Sequence, residues 1–262
     1  MTGEERRQQL SEVLARRGFA DLSWLAGELG VSESTVRRDL TQLEEEGIAR
    51  RTHGGAVFVS DRFSALNFSA REMTAVAEKQ AISRVVAGLV EDGETILLDG
   101  GTTTFEVAKQ LMSRTLQVVT NSLPIANMLS SASNIELTFI GGYIYPKTGV
   151  ALGPILARTL AKLHVEKAII STAGITEQGL FNANMLMVES EQRMMESADQ
   201  VIVAADSSKF GRKSLALVCG WDEIDRVVTD DGLADDWQGR MKATGAELIL
   251  APVGEAVAGG GE

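Results

Sequence analysis

The chain has 262 residues, 44% of them apolar and 23% charged, which suits a globular protein with room for one small and one medium core. It holds no run of roughly 18 uncharged apolar residues, its start MTGEERRQQL lacks an apolar signal core, and Cys219 stands alone, so a spanning helix, a secretory leader and a disulfide framework are not expected. The net charge of −11 argues against a nucleic-acid partner until it is divided: residues 1–60 hold eight Arg against ten Asp or Glu (−2), and the remainder holds 17 basic against 26 acidic residues (−9).

In chain order, Leu10, Val13, Leu14 and Ala15 recur at helical spacing, with Gly18 as a stop. Asp21 stands where it caps a second short helix that carries Leu22, Leu25 and Leu29 and ends at Gly30. Ser32 caps a third, with Val36, Leu40 and Leu43 on one face and Gly47 at its end. IARRTHGGAVFV then reads as two short strands joined at Gly54-Gly55.

Two helices joined by a tight glycine-containing turn, LAGELGVSESTVRRDL, are a helix-turn-helix signal. If Val36, Leu40 and Leu43 turn inward, a step of about 100° per residue sends Ser34, Arg38 and Thr41 outward, with Thr35 and Arg37 on the flanks. Such a face can enter a major groove, offering arginine to guanine edges and hydroxyls to phosphate or base. The hairpin with Arg50, Arg51 and His53 becomes a wing that reaches phosphates or a narrow minor groove. The expected DNA contacts are Ser32, Ser34, Thr35, Arg37, Arg38, Thr41, Arg50, Arg51 and His53. Glu44, Glu45 and Glu46 read as a solvated face kept away from phosphates. A plain three-helix bundle with a polar surface is the competing reading, which the wing makes the weaker one.

The winged unit is expected over 1–58, a linker over 59–74, an α/β unit over 75–253 and a disordered tail over 254–262. In the α/β unit, TILLD (95–99), LQVVTN (116–121), IELTFIGG (135–142), KAIIS (167–171), VIVAAD (201–206), DRVVTD (225–230) and ELILA (247–251) alternate with helical segments. Continuous apolar runs in that pattern predict a mostly parallel sheet covered on both faces. LLDGGTTTFEVAKQL reads as strand, glycine turn and helix, so Asp99 ends the strand, Gly100-Gly101 allow a tight turn and Thr102, Thr103 and Thr104 open the helix. Free N–H groups at a helix start, with the dipole and nearby hydroxyls, favour a phosphate. Asn121, the Gly141-Gly142 pair, Lys147 in the loop that follows, and Asp206 with Lys209 gather at further strand ends, where open α/β sheets bind ligands.

The spaced series Arg6, Leu10, Leu14, then Ser32-x-x-Thr35-Val36-Arg37-Arg38-Asp39-Leu40, together with DGGTTT, TNS, IGG and DSSKFG, resembles the DeoR family of bacterial regulators over nearly the whole chain. The resemblance implies a winged helix that docks its third helix in the major groove of operator DNA. It also implies a sensor similar to the ribose-5-phosphate isomerase and CoA-transferase fold, and repression relieved by a sugar phosphate. It makes Asp99 through Thr104 the phosphate cradle, Asn121 a polar contact and Lys209 a second cation, and adds Gly174 in STAGI and Glu189 in MVESEQRMM as candidates. One departure concerns ligand size: many relatives carry a larger residue where this chain has Gly100.

A sugar-phosphate isomerase or acyl transferase is the alternative, since Asp99, Glu189 and Asp206 offer carboxylates for acid–base work. Residues 1–56 favour the regulator, because such an enzyme needs no DNA reader. With His53, His164 and Cys219 as the only His or Cys, no metal and no cofactor are expected. A cytoplasmic homo-oligomer, dimer or tetramer, is expected, because paired half-sites demand paired readers.

Overall fold

The computed structural model describes residues 2–17, 19–45, 48–52, 54–58 and 68–254. It divides into two units, Met1–Arg71 and Glu72–Glu262. Gly18, Glu46, Gly47, His53 and the tail from 255 lie outside the described residues.

The first unit runs α1 (Gly3–Arg17), β1 (Phe19–Asp21), α2 (Leu22–Leu29), α3 (Glu33–Glu45), β2 (Ala49–Arg51) and β3 (Gly55–Phe58). Asp21 caps α2 as expected: its Oδ1 accepts from the Trp24 N–H at 2.8 Å and from the Ser23 hydroxyl at 2.8 Å. The first of these bonds, then the second, hold its carboxyl below the usual carboxylate range. Gly30 ends α2 with φ 63°, a left-handed turn that suits glycine. The Ser32 hydroxyl accepts from the Thr35 N–H at 3.3 Å at the start of α3.

The three strands form an antiparallel sheet in the order β1-β3-β2. β1 was not expected, because three residues are too short to display a period; its pairing with the distant β3 makes it a strand. That pairing also revises the role of Gly55, which opens β3 and does not merely turn the hairpin. A Cβ at Gly55 would lie 2.2 Å from the Ala20 carbonyl oxygen, so β1 can approach only glycine here.

Leu10, Leu14, Leu25, Val36 and Leu40 are wholly buried, as the helical spacing predicts. Asp39 is buried beside them and is held by Arg6 of α1, whose Nε donates to Oδ2 at 2.5 Å and Nη2 to Oδ1 at 3.2 Å. The bidentate pair ties α1 to α3, and hydrogen bonding to the carboxylate raises the arginine pKa further. The tail end of the stretch expected as linker is helical, α4 (Phe68–Glu72).

The second unit continues α5 (Val76–Gly88), β4 (Thr95–Leu98), α6 (Thr102–Leu111), β5 (Leu116–Thr120), α7 (Leu123–Leu129), β6 (Ile135–Phe139), β7 (Tyr143–Tyr145), β8 (Val150–Leu152), α8 (Pro154–Leu160) and β9 (Val165–Ile170). It ends with β10 (Gly174–Thr176), β11 (Gly179–Asn182), α9 (Met185–Glu196), β12 (Ala198–Ala204), β13 (Ala216–Cys219), β14 (Arg226–Asp230), α10 (Asp235–Met241) and β15 (Glu247–Ala251).

All seven expected strands enter one sheet, in the order β15-β14-β12-β9-β4-β5-β6, and every neighbouring pair is parallel. Successive residues of one strand face opposite cores. Ile96 and Leu98 of β4 join Ile82 of α5, Leu111 of α6 and Ile125 of α7 on one side, while Leu97 joins Leu156 of α8, Met194 of α9 and Met241 of α10 on the other. Both faces are therefore covered, which is why these strands read as continuous apolar runs. The chain leaves β4 for β5 on one side and reaches β9 on the other, so the order reverses between β4 and β9. Such a switch point opens a crevice at the carboxyl ends of the two strands.

The added antiparallel pieces, β7 with β8 and the small sheet β10-β11-β13, were not foreseen. Their strands are three or four residues long and stand in loops by their composition.

Candidate functional site

The first candidate surface is the outer side of α3. Val36, Leu40 and Leu43 are buried and so fix the helix rotation; Ser32, Ser34, Arg37 and Arg38 are exposed and Thr35 is partly so. Arg37 makes only a loose 3.9 Å approach to Glu33. A groove between α3 and the wing is lined by Leu22, Arg37, Glu44, Arg51, Thr52 and Gly55. Glu44 is not the solvated residue expected from the acidic run: it is half-buried and bonded to Arg51 of β2. Thr41 is drawn toward the same pair, donating to the Arg37 carbonyl at 2.9 Å and accepting from Arg51 Nη1 at 3.0 Å. Arg50 lies opposite Val57 in the β2–β3 ladder.

The second surface is the crevice at the carboxyl ends of β4, β5 and β9. Asp99 is buried where β4 ends, and its Oδ2 accepts from the Ser171 N–H at 3.1 Å and the Ser171 hydroxyl at 2.7 Å, across the switch point. Gly100 and Gly101 are needed for space and not for a left-handed turn. A Cβ on Gly100 would stand 1.9 Å from Val150 Cγ1, and one on Gly101 1.9 Å from Ser171 Oγ. The backbone of Gly101 has φ −88°, open to any residue.

The Thr104 hydroxyl is engaged inside the turn, donating to the Asp99 carbonyl at 2.6 Å and accepting from the Gly101 N–H at 2.9 Å. The first N–H groups of a helix have no partner within it, and among the described residues neither hydroxyl of Thr102 and Thr103 is hydrogen-bonded. These groups open a ten-residue helix, where backbone dipoles favour an anion.

Beside them Asn121, 2% exposed, donates from Nδ2 to the Ala151 carbonyl at 2.9 Å, while its Oδ1 has no partner. A buried acceptor left so is costly, and it asks for a donor such as a ligand hydroxyl.

The β7–β8 hairpin caps this corner through the Ser122–Val150 bridge, with Lys147 in its turn. Thr148 of that turn is buried and its hydroxyl is unbonded. Gly142 packs against it, since a Cβ would lie 2.7 Å from the Leu152 carbonyl oxygen; Gly141 meets nothing. At the end of β12, Asp206 Oδ1 accepts from the Ser208 N–H at 3.2 Å and from the Ser208 hydroxyl, and Lys209 Nζ stands 3.9 Å from Oδ2. Asp230 of β14 accepts from the N–H groups of Ser207 at 2.6 Å and Gly232 at 3.2 Å.

Residues 6–62 match the family described as DeoR-like helix-turn-helix domain, and residues 74–231 match the DeoR C terminal sensor domain. The chain belongs to the DeoR family of transcriptional regulators. It is 34% identical over 256 residues to the putative aga operon transcriptional repressor of Escherichia coli O157:H7, covering 96% of this chain and 94% of that one. It is 37% identical to the HTH-type transcriptional regulator YulB of Bacillus subtilis (strain 168), covering 87% and 89%, and 32% identical to the transcriptional repressor GlcR of the same organism, covering 95% and 97%. Among solved structures, ribose 5-phosphate isomerase A from Methanocaldococcus jannaschii aligns over 50% of this chain and 53% of that one, with TM-score 0.37 and 20% identity. No functional inference attaches to a likeness of that size.

Within this DeoR-family chain, two further expected effector residues, Glu189 and Gly174, stand on α9 and β10. Glu189 is exposed on α9, and it is Glu191 that turns inward, accepting from Asn182 Nδ2 at 2.5 Å. Gly174 does not end β9 but opens β10, where a Cβ would lie 2.3 Å from the Arg212 carbonyl oxygen. Ser171, Thr148 and Asp230 were missed. Ser171 and Asp230 carried a signal, as the polar ends of the apolar runs KAIIS and DRVVTD; Thr148 carried none. No described helix is long and apolar enough to cross a membrane.

Proposed function

We propose that this DeoR-family chain represses genes of carbohydrate uptake or breakdown and leaves its operator when a phosphorylated sugar enters the crevice between β4, β5 and β9. The observation that carries the reading is the pairing at one place of two ligand-seeking features. The start of α6 offers the N–H groups of its first turn and two hydroxyls to an anion, and Asn121 Oδ1 waits for a donor beside them. A phosphate and a sugar hydroxyl are the two halves of such a ligand. Lys209 after β12 and Lys147 in the β7–β8 turn add positive charge. Relatives whose names connect them with the aga operon or with repression favour the same class of target.

On the reader, Ser34, Arg37 and Arg38 contact base edges and phosphates, and two readers in a homo-oligomer meet half-sites about 34–36 Å apart. The ligand alters their spacing, which lowers affinity for the pair. The chain works by binding and not by catalysis: Asp99, Asp206 and Asp230 all accept hydrogen bonds from serine or glycine groups, so these carboxylates serve as framework and not as an idle base.

A thermal-shift screen with phosphorylated sugars tests this. A ligand at a hundred times its Kd adds about 2.7 kcal/mol of stability. The same compound must then release the protein from a DNA duplex; stabilisation without release removes the regulatory reading, and unphosphorylated sugars acting equally well remove the phosphate.

A further inference from the structure

We propose that Glu44 is a positioning residue for DNA recognition: it latches the wing to the reading helix by clamping Arg51, which thereby serves the wing's placement and not a phosphate. The clamp grips Arg51 twice. Glu44 Oε1 accepts from the Arg51 main-chain N–H at 3.0 Å, and Oε2 accepts from its Nε at 2.8 Å. The far side of the guanidinium is held too, since Nη1 donates to the Thr41 hydroxyl at 3.0 Å, and that hydroxyl donates to the Arg37 carbonyl at 2.9 Å. A continuous chain of bonds thus runs from β2 to the turn of α3 that carries Arg37 and Arg38.

Three physical points favour a latch. A carboxylate engaging both backbone and side chain of one residue fixes the strand itself, not only a mobile arginine tip. β2 has three residues and β3 four, and a pair so short has little stability of its own, so its angle to α3 must come from contacts outside the ladder. A phosphate approaching Arg51 would meet the Glu44 charge in the lining of the same groove. Arg37 and Arg38 stand exposed on the helix for that purpose. Because Arg51 and Glu44 are 46% and 35% exposed, the pair contributes little bare Coulomb energy, and its value lies in geometry.

The test uses the full-length chain and a duplex enriched by the wild-type protein from a random-sequence pool, with affinity measured across salt concentrations. E44Q and R51M each weaken binding about three- to tenfold. The double variant E44Q/R51M is no weaker than either single one, and the salt slope stays at the wild-type value. T41V weakens binding in the same direction, and T41S restores it. A thermal midpoint for every variant separates folding from placement. If E44Q unfolds the unit, the Thr41 pair decides, since it leaves the carboxylate intact: no loss in T41V overturns the latch. The latch also falls if E44Q binds equally or more tightly while R51M lowers the salt slope by about 0.9, the signature of one lost phosphate contact. A wild-type chain that enriches no duplex strikes at DNA binding itself, whereas the sign of the E44Q effect strikes at the latch alone.

Discussion

In the amino-terminal unit the groups we propose to meet DNA, Ser34, Arg37 and Arg38, stand in solvent above a small core. In the second unit Asp99, Asn121 and Asp206 are all buried at the ends of a seven-stranded sheet. The difference follows from the partner. A DNA duplex brings a surface of its own and needs a protruding helix with cations at hand. A metabolite must be surrounded, so its contacts are polar atoms that folding has already taken out of water. Exposed groups can be exchanged with little effect on the fold, whereas buried ones serve fold and ligand together.

Four substitutions and one labelling test would break or sharpen this contrast, beginning with the largest effect on binding or stability. Arg37→Ala and Arg38→Ala should each cost about 1–3 kcal/mol of operator affinity where the side chain reads a base. The thermal midpoint should stay within experimental scatter; a large drop would place these side chains in the fold. Loss confined to the selected sequence marks base readout, and equal loss on all sequences marks phosphate contact.

Gly101→Ala should destabilise the second unit by about 1–3 kcal/mol, because the new methyl collides with Ser171 Oγ, itself fixed by Asp99. Denaturant unfolding gives the value, and an unchanged midpoint would mean that the β4–α6 turn yields easily.

Asn121→Leu removes one hydrogen bond, the Nδ2 contact to Ala151, and so should lower stability by only about 0.5–1.5 kcal/mol. The effector response should fall about tenfold while DNA affinity is kept, measured as the ligand concentration that releases half the duplex; an unaltered response would remove Asn121 from the site.

The smallest effect concerns Cys219. Burial, then the nearby Glu223 charge, pushes its thiol up to about 12, so almost none is thiolate at neutral pH. Iodoacetamide at pH 8 should label the folded chain on the order of a hundredfold more slowly than the unfolded one, with no change in DNA or effector binding; rapid labelling would contradict the buried environment.

The two units also differ in how far they could be read from the sequence. Periodicity located the inward face of α3 because Val36, Leu40 and Leu43 recur within a single element, and the seven parallel strands were legible because burial on both faces leaves unbroken apolar runs. The Asp21 cap and the Gly30 stop were local as well. Asp39 stood in the motif without a stated task, since its partner Arg6 lies on another helix. Glu44 reads as solvated in the sequence, as one of three consecutive acids; only the return of β2 beside α3 gives it Arg51. The tight turn at Gly100 and Gly101 was legible, but not the second reason for glycine there, the approach of Val150 and Ser171 from distant segments. Glu189 and Glu191 could not be told apart by spacing, which fixes their difference in direction around α9 but not which direction faces the protein.

Sequence by itself determined the three helices of the first unit and the seven parallel strands of the second, the division into a DNA-reading unit and a parallel α/β unit, and the DeoR-family membership. Those features depend on neighbours a few residues apart, where helical and strand periods, caps and glycine stops act. Tertiary structure alone decided which polar groups are engaged and which remain available: that Asp99 is held by Ser171 while Asn121 keeps an open acceptor, and that Arg51 is clamped while Arg38 is exposed. Hydrogen-bond satisfaction depends on atoms from remote segments meeting in space, and no local pattern records which ones will meet.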